Sequence, residues 1–335
     1  MAETVLITGI SGFIAKHIAA KFLAAGYAVR GTVRRLDRAD EVRKAVLPVA
    51  GMGAADRLSF VAADLESDAG WAEAMVGVSA VIHTASPFPI AQPKDENDLI
   101  RPALQGTERV LRAAKVAGVT RVVLTSSVVA VLNEAKAGIQ NEGDWCDVAL
   151  PTTTAYGKSK TLAERRAWEM AKAEGLELTT INPGFVLGAP LDANYGSSLG
   201  IVERFLKGKD PMQPPYGLPI VDVREVAEMH LRALQRPDTA GKRFIAAAGS
   251  MTFADMARTL KAAYPARKIA TKEAPIFLLR VLALFDGSVK AILPKLGKVE
   301  RVSNARTVRE MGMTFTSPEN ALRDAAAWLV ANTKI

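Results

Sequence analysis

The segment Tyr156-Gly157-Lys158-Ser159-Lys160 sets a phenol and an ammonium four positions apart. On a helix that spacing places both side chains on one face, within reach of each other. A phenol is a poor acid–base group near neutrality, because its ordinary pKa is about 10. A neighbouring ammonium favours the phenolate and is expected to lower that value, making Tyr156 a usable proton donor or acceptor. A second polar cluster, Thr125-Ser126-Ser127, closes an apolar, β-rich run. A serine hydroxyl there would bond a substrate carbonyl and the oxygen that gains charge as that carbonyl is reduced. Either motif alone also reads as plain structure, a surface helix pair or a polar strand end.

The chemistry needs a source of reducing equivalents, and the start of the chain carries a turn suited to one. Thr8-Gly9-Ile10-Ser11-Gly12-Phe13-Ile14-Ala15 follows the first apolar run and opens a helical pattern. Gly9 and Gly12 permit a tight turn and close approach of a pyrophosphate, and the helix N-terminus supplies favourable partial charge. Thr8, Gly9, Ser11, Gly12, Phe13 and Ile14 are therefore the expected dinucleotide contacts. About 20 residues on, an acidic side chain would hold a ribose 2′-hydroxyl. The second run ends instead in Gly31-Thr32-Val33-Arg34-Arg35. An arginine pairs with a 2′-phosphate, so NADPH is expected over NADH, with Arg34 as the contact. Asp64 and Leu65, after the third run, are expected to bound the adenine, with a helix-capping Asp the nearest competing reading.

These groups must be positioned by the elements between them. Strands are expected at Val5–Thr8, Tyr27–Val33, Leu58–Ala62, Ala80–His83, Arg121–Thr125 and Leu178–Ile181. Helical patterns alternate with them, from Gly12 to about Ala25, Asp37 to about Leu47, Trp71–Met75, about Asn97 to Ala117, and Ala155 to Glu174. Such alternation predicts an α/β fold, a doubly wound parallel sheet with helices on both faces, and right-handed crossovers favour the Rossmann-type arrangement. Beyond Asn182 the rhythm breaks. Glycine and proline cluster from Pro183 to Pro219, and the remainder reads as mostly helix with one strand at Lys242–Ala246. Residues 1–185 with about 219–250 are expected to form the dinucleotide-binding domain. About 186–218 and 251–335 would form a smaller, mainly helical substrate lobe.

Composition narrows the function classes. Hydrophobic residues make up 49% and charged residues 23% of the 335, so a sizeable core is expected. The single cysteine, Cys146, excludes an intramolecular disulfide and a cysteine-based zinc site. The three histidines, His17, His83 and His230, are too scattered to suggest a metal site. The net charge of +8 is dispersed among acids, without a basic run interleaved with aromatics, so no nucleic-acid partner is expected. The N-terminus lacks a secretory pattern, and the apolar stretch Ile276–Phe285 is too short to span a bilayer. A cytoplasmic monomer or homodimer acting on a small-molecule carbonyl substrate is expected, with no membrane or nucleic-acid partner.

Together the motifs resemble the extended short-chain dehydrogenases/reductases. The closer resemblance is to the branch of dihydroflavonol reductases, cinnamoyl-CoA reductases and microbial aldehyde or ketone reductases. It rests on TGISGFIA at Thr8–Ala15, GTVR at Gly31–Arg34, AADL at Ala62–Leu65, HTASP at His83–Pro87 and VLTSS at Val123–Ser127. YGKSK, NPGFVLG at Asn182–Gly188 and VDVREVAEMHL at Val221–Leu231 complete it. The resemblance implies that Ser127 is the catalytic serine, with Ser126 lining the cofactor side. It implies that Tyr156 protonates the carbonyl oxygen while Lys160 binds the nicotinamide ribose. Thr84, Ala85 and Ser86 would lie beside the cofactor, and Pro183, Gly184 and Val186 against the nicotinamide.

One position departs from that pattern. Flavonoid reductases of the family carry an asparagine five residues after the catalytic serine, where this chain has Leu132 and places Asn133 one step late. An apolar side chain removes that hydrogen bond, so a small or aromatic aldehyde or ketone is expected rather than a polyhydroxylated flavonoid. Phe88, Leu132, Phe185, Tyr195 and Tyr216 are the expected pocket residues. Two other functions share the scaffold: an NAD(P)-dependent nucleotide-sugar epimerase or dehydratase, and a binding protein that senses NADPH without turnover. Arg34 argues against the first and the intact Tyr–Lys pair against the second.

Overall fold

A computed structural model of the chain describes residues 2–86, 95–285, 289 and 292–335. Phe88, one of the expected pocket residues, lies outside them. Seven parallel strands form the main sheet: β1 Thr4–Thr8, β2 Ala28–Val33, β3 Leu58–Ala62, β4 Ala80–His83, β5 Arg121–Thr125, β6 Glu177–Pro183 and β9 Lys242–Ala246. Their order is β3-β2-β1-β4-β5-β6-β9, so the winding reverses between β1 and β4. Ligands bind at such a switch point, beyond the carboxyl ends of the strands. The doubly wound Rossmann-type sheet expected from the sequence is therefore what forms.

Each face of the sheet is closed by helices whose apolar stripes match it. Helices α1 (Phe13–Ala24), α2 (Ala39–Ala50) and α7 (Val223–Gln235) cover one face, with Ile18, Phe22, Val46 and Met229 fully buried among Val5, Ile7 and Ile82. On the other lie α3 (Trp71–Met75), α4 (Asn97–Val116) and α5 (Ala155–Glu174), packing Val110, Leu111 and Ala167 on Leu6, Val81 and Val122. The strands are apolar on both sides because both sides are buried. Helix α5 begins where Thr154 accepts a hydrogen bond from the Gly157 N–H at 3.1 Å. That cap fixes the first turn, and Tyr156 and Lys160 with it.

The lobe holds more strand than the sequence suggests. β7 (Phe185–Leu187), β8 (Tyr216–Asp222), β10 (Gly249–Thr252) and β11 (Lys298–Val299) make a second sheet centred on β8. Pro219 and Gly217 lie inside β8 and disguise it, since proline cannot donate to a ladder and glycine weakens one. Burial prevails over propensity here: all seven residues of β8 are buried. Helix α6 (Gly196–Leu206), α8 (Phe253–Ala263) and the helix Pro318–Asn332 pack on this sheet through Leu199, Met256, Leu260, Leu322 and Leu329. Helix α9 (Ile276–Leu282) lies at the surface with Phe277 71% exposed. None of the described helices is long and apolar enough to cross a membrane.

Candidate active site

The carboxyl ends of β1, β4, β5 and β6 gather the residues singled out by type and spacing. At the end of β1 the Thr8 hydroxyl is fully buried and accepts from the N–H groups of Thr84 (3.1 Å) and Ala85 (3.0 Å). With both lone pairs filled, its proton points to His83 Nδ1 at 2.8 Å. The Thr84 hydroxyl returns a bond to the Thr8 carbonyl. These contacts tie the glycine turn to β4 and hold Thr84, Ala85 and Ser86 half-buried beside it.

The turn itself has the shape a pyrophosphate needs. Gly9 has φ +63°, and a Cβ there would stand 3.0 Å from the Cα and Cβ of Ala85. Only glycine fits both constraints. Its N–H donates to Thr32 Oγ1 at 3.0 Å, and the Ile10 N–H to the Thr32 carbonyl at 3.1 Å. Gly12 caps α1 without a side-chain bond, so the first N–H groups of the helix, at Phe13 and Ile14, face outward uncapped. The residues present thus fit a dinucleotide phosphate.

Arg34, at the end of β2, is exposed, and its guanidinium has no hydrogen bond or ion pair among the described residues. Its neighbour Arg35 pairs with Asp37 at 3.0 Å, and Arg38 binds Glu41 through two bonds of 2.7 and 3.0 Å. Of the three guanidiniums, Arg34 is the one free to take a 2′-phosphate. Asp64 accepts from the Glu66 N–H at 3.1 Å, the turn-forming role that competes with an adenine contact. Leu65 packs beneath it against Gly106, where a Cβ would approach to 2.8 Å.

Ser127, Tyr156 and Lys160 converge at the ends of β5 and α5. The Ser127 hydroxyl bonds the Tyr156 phenol just beyond the carboxyl end of β5. Ser126, expected to line the cofactor side, turns its hydroxyl the other way and donates to the carboxylate of Glu164. The geometry thus separates two adjacent serines that spacing alone does not. Lys160 is buried, with its Nζ 6.0 Å from the centre of the Tyr156 ring. Burial lowers the Lys160 pKa to about 8, opposed by the Glu164 charge one turn along the helix. Burial also pushes the Tyr156 phenol up to about 12, and the Ser127 bond offsets only part of that. The expected lowering by Lys160 is not found; desolvation of the phenolate outweighs it.

The carboxylate behind the triad escaped the sequence reading. Glu164 and Arg243 form a buried pair at 2.7 Å, with side-chain exposures of 0% and 7%. Glu164 also accepts from Asn182 Nδ2 (2.7 Å) and Thr180 Oγ1 (3.0 Å). One signal was available: Tyr156, Lys160 and Glu164 succeed one another at intervals of four. A second missed contact lies over the glycine turn. Lys16, fully buried in α1, binds Asp192 and the Asn194 carbonyl (3.2 Å), while Asn194 donates to the Ser11 carbonyl at 2.9 Å.

The residues expected against the nicotinamide and those expected in the substrate pocket lie in different places. Pro183 and Val186 are buried, and Gly184 and Phe185 half-buried, where β6 passes into β7. Gly184 abuts the Pro219 carbonyl, which a Cβ would approach to 2.5 Å. Leu132 borders a cavity of about 420 Å³ also lined by Asn133, Lys136, Lys295, Lys298 and Arg301. Tyr216 stands behind that cavity, its hydroxyl donating to Glu300 at 2.6 Å and its ring stacked on Phe253. Tyr195 lies farther out, against Trp328, with its hydroxyl on Glu203 at 3.1 Å.

Comparison with known proteins places this arrangement. The model of the NAD dependent epimerase/dehydratase family matches residues 5–247. Cinnamoyl-CoA reductase 1 of Arabidopsis thaliana is 31% identical over 327 residues, covering 96% of this chain and 88% of that protein. An anthocyanidin reductase ((2S)-flavan-3-ol-forming) of Vitis vinifera is 32% identical over 286 residues, covering 80% and 83%. Among solved structures, yeast methylglyoxal/isovaleraldehyde reductase Gre2 complexed with NADPH superposes with a TM-score of 0.81 at 28% identity, covering 98% of each chain.

Proposed function

This chain belongs to the NAD dependent epimerase/dehydratase family, the extended short-chain dehydrogenases/reductases, and we propose that it is an NADPH-dependent reductase of small or aromatic aldehydes and ketones. The observation that carries the reading is the Ser127–Tyr156 hydrogen bond at the strand ends, with the buried Lys160 behind it. When bound, NADPH supplies the hydride for the carbonyl carbon. The turn from Gly9 to Ile14 would hold its pyrophosphate, and Arg34 its 2′-phosphate.

The chain's own residues handle the oxygen. Ser127 donates to the carbonyl oxygen and fixes its direction. Tyr156, a phenol that is protonated at neutral pH and held more firmly so by burial, delivers a proton to that oxygen as it becomes an alkoxide. An alkoxide is a stronger base than a phenolate, so the transfer runs downhill even from a phenol near 12. Lys160, charged below about pH 8, stabilises the phenolate that remains and would bind the nicotinamide ribose. The same steps reversed oxidise an alcohol. Leu132, which cannot hydrogen-bond a ring hydroxyl, favours a substrate without a polyhydroxylated ring. We read the main sheet and its helices as the cofactor domain and the β8 sheet with its helices as the substrate lobe. The chain would work in the cytoplasm as a monomer or homodimer.

NADPH oxidation by purified protein, followed with aldehydes, diketones, ketoesters and hydroxycinnamoyl compounds, tests the reading. Turnover with at least one carbonyl class supports it. Protein that retains tightly bound NAD and consumes no added NADPH with any of them overturns it.

A further inference from the structure

We propose that Glu164 is a positioning residue for carbonyl reduction, holding Lys160 charged and Ser127 seated from beneath the site. The inference rests on the reductase reading above and extends it to a group that touches neither substrate nor cofactor. Four elements meet at this carboxylate. From α5 it projects one turn beyond Lys160. From just beyond β5 it receives the Ser126 hydroxyl, from β6 Thr180 and Asn182, and from β9 the Arg243 guanidinium. Asn182 uses the same amide group to donate to the Ser127 carbonyl at 3.2 Å. Glu164 is therefore one hydrogen bond from the residue before Ser127 and two from Ser127 itself.

Arg243 compensates the Glu164 carboxylate at zero exposure. Besides Glu164, its guanidinium bonds the carbonyls of Glu142 (3.0 Å), Asp144 (2.6 Å) and Ala130 (3.4 Å), and it stacks at 3.8 Å on the Trp145 ring. A buried pair with this many hydrogen bonds on both partners gives little net stability over apolar residues of the same volume. What it does supply is a fixed negative charge near Lys160. The other charged or titratable groups around Lys160 do not supply one. Tyr156 on α5 is neutral, and His83 of β4, which lies close enough to feel the Lys160 charge, is held neutral by burial. Glu108 of the neighbouring α4 pairs instead with Arg166. Removing the Glu164 charge would leave Lys160 with burial alone, and its ammonium would lose its proton at lower pH.

The test compares the wild-type chain with Glu164→Gln and with the double variant Glu164→Gln/Arg243→Gln, which removes both charges and keeps hydrogen-bonding groups. The first readout needs no turnover: the titration of Lys160 by NMR of 13C-labelled lysines, assigned with Lys160→Arg. The proposal expects the Lys160 midpoint to fall in whichever variant folds. In steady-state reduction kcat should drop on the order of tenfold to a hundredfold. The alkaline limb of the kcat profile should move to lower pH, and NADPH affinity should change little. Glu164→Asp, which keeps the charge, should restore part of kcat. A folded variant with unshifted Lys160 titration and wild-type kcat would overturn the proposal, as would loss of thermal stability alone. A wild-type chain inactive toward every carbonyl would sink the reductase reading instead, and the Lys160 titration would still decide whether Glu164 acts on Lys160.

Discussion

Lys160 Nζ lies 6.0 Å from the centre of the Tyr156 ring, one helical turn along the same face of α5. On the reductase reading the two residues would act as a proton donor and its electrostatic support, with Ser127 bonded to the donor. Replacing Tyr156 by Phe removes one oxygen atom and leaves the ring packing in place. Carbonyl reduction should then fall about 10²–10⁴-fold in kcat, the ordinary scale for losing a general acid. NADPH binding, measured by fluorescence or calorimetry, should stay within a few-fold. Wild-type turnover from Tyr156→Phe would refute the assignment.

The same pair sets the pH dependence. Tyr156 titrates near 12, above the working range, whereas Lys160 titrates near 8. If reduction draws on the ammonium as proposed, kcat should be flat below about pH 7 and decline as pH rises through 8. In Lys160→Arg the side chain stays charged, and that decline should disappear even where overall activity is reduced. A limb that persists unchanged in Lys160→Arg would assign it to a different group.

Arg34 is exposed and lacks an internal partner among the described residues, so its loss costs the fold little. A charge-assisted pair with a phosphate contributes about 1.5–3 kcal/mol. Arg34→Ala should accordingly raise KM for NADPH roughly tenfold to a hundredfold and leave KM for NADH nearly unchanged. Equal effects on both cofactors would remove the 2′-phosphate role.

Much of this arrangement is legible in the sequence itself. Alternating apolar runs and helical patterns predict six of the seven main strands, and the separate run at Lys242–Ala246 is the seventh, because a strand buried on both faces leaves a continuous apolar signature. The triad was legible because Tyr156 and Lys160 are close in sequence. The network behind it was not. Glu164, Asn182 and Arg243 come from three elements, and only the order β5-β6-β9 brings them together. Strand β8 was missed for a local reason, Pro219 within a segment whose burial decides the matter.

The contact between Lys16 and Asp192 joins the glycine turn to the segment that follows β7. Lys16 is 1% exposed and Asp192 20%, and burial lowers the lysine pKa against the pull of its partner. One carboxylate oxygen of Asp192 has no hydrogen-bond partner, so losing the ammonium would leave the carboxylate poorly compensated. Breaking a fully buried pair costs about 3–5 kcal/mol, and the residual exposure of Asp192 reduces that to roughly 2–3. Lys16→Met should lower Tm by several degrees, with a smaller fall in Lys16→Met/Asp192→Asn. Differential scanning calorimetry of both, together with Asp192→Asn alone, decides it, since an uncoupled pair would give additive losses.

Acid sensitivity should come from histidines rather than from the triad. Burial holds His83 near 3 and His17 and His230 near 4, against an ordinary value of about 6.5. His230 shows the reason in its contacts: Nδ1 faces the Val226 carbonyl at 2.7 Å, and Nε2 the Thr125 hydroxyl, also at 2.7 Å. The ring is neutral with its proton on Nδ1, and protonating Nε2 would turn the Thr125 proton away and leave a charge in a fully buried site. Below about pH 6.5 the unfolded chain takes up protons that the native chain refuses. Stability is therefore full above that pH and is lost as pH falls toward 4, by up to about 1.4 kcal/mol per pH unit for each histidine. In His230→Gln the side-chain oxygen can still accept from Thr125, but nothing titrates. Between pH 7 and 4.5 the Tm of that variant should fall less steeply than the wild type. Parallel curves would show that His230 does not carry the acid response.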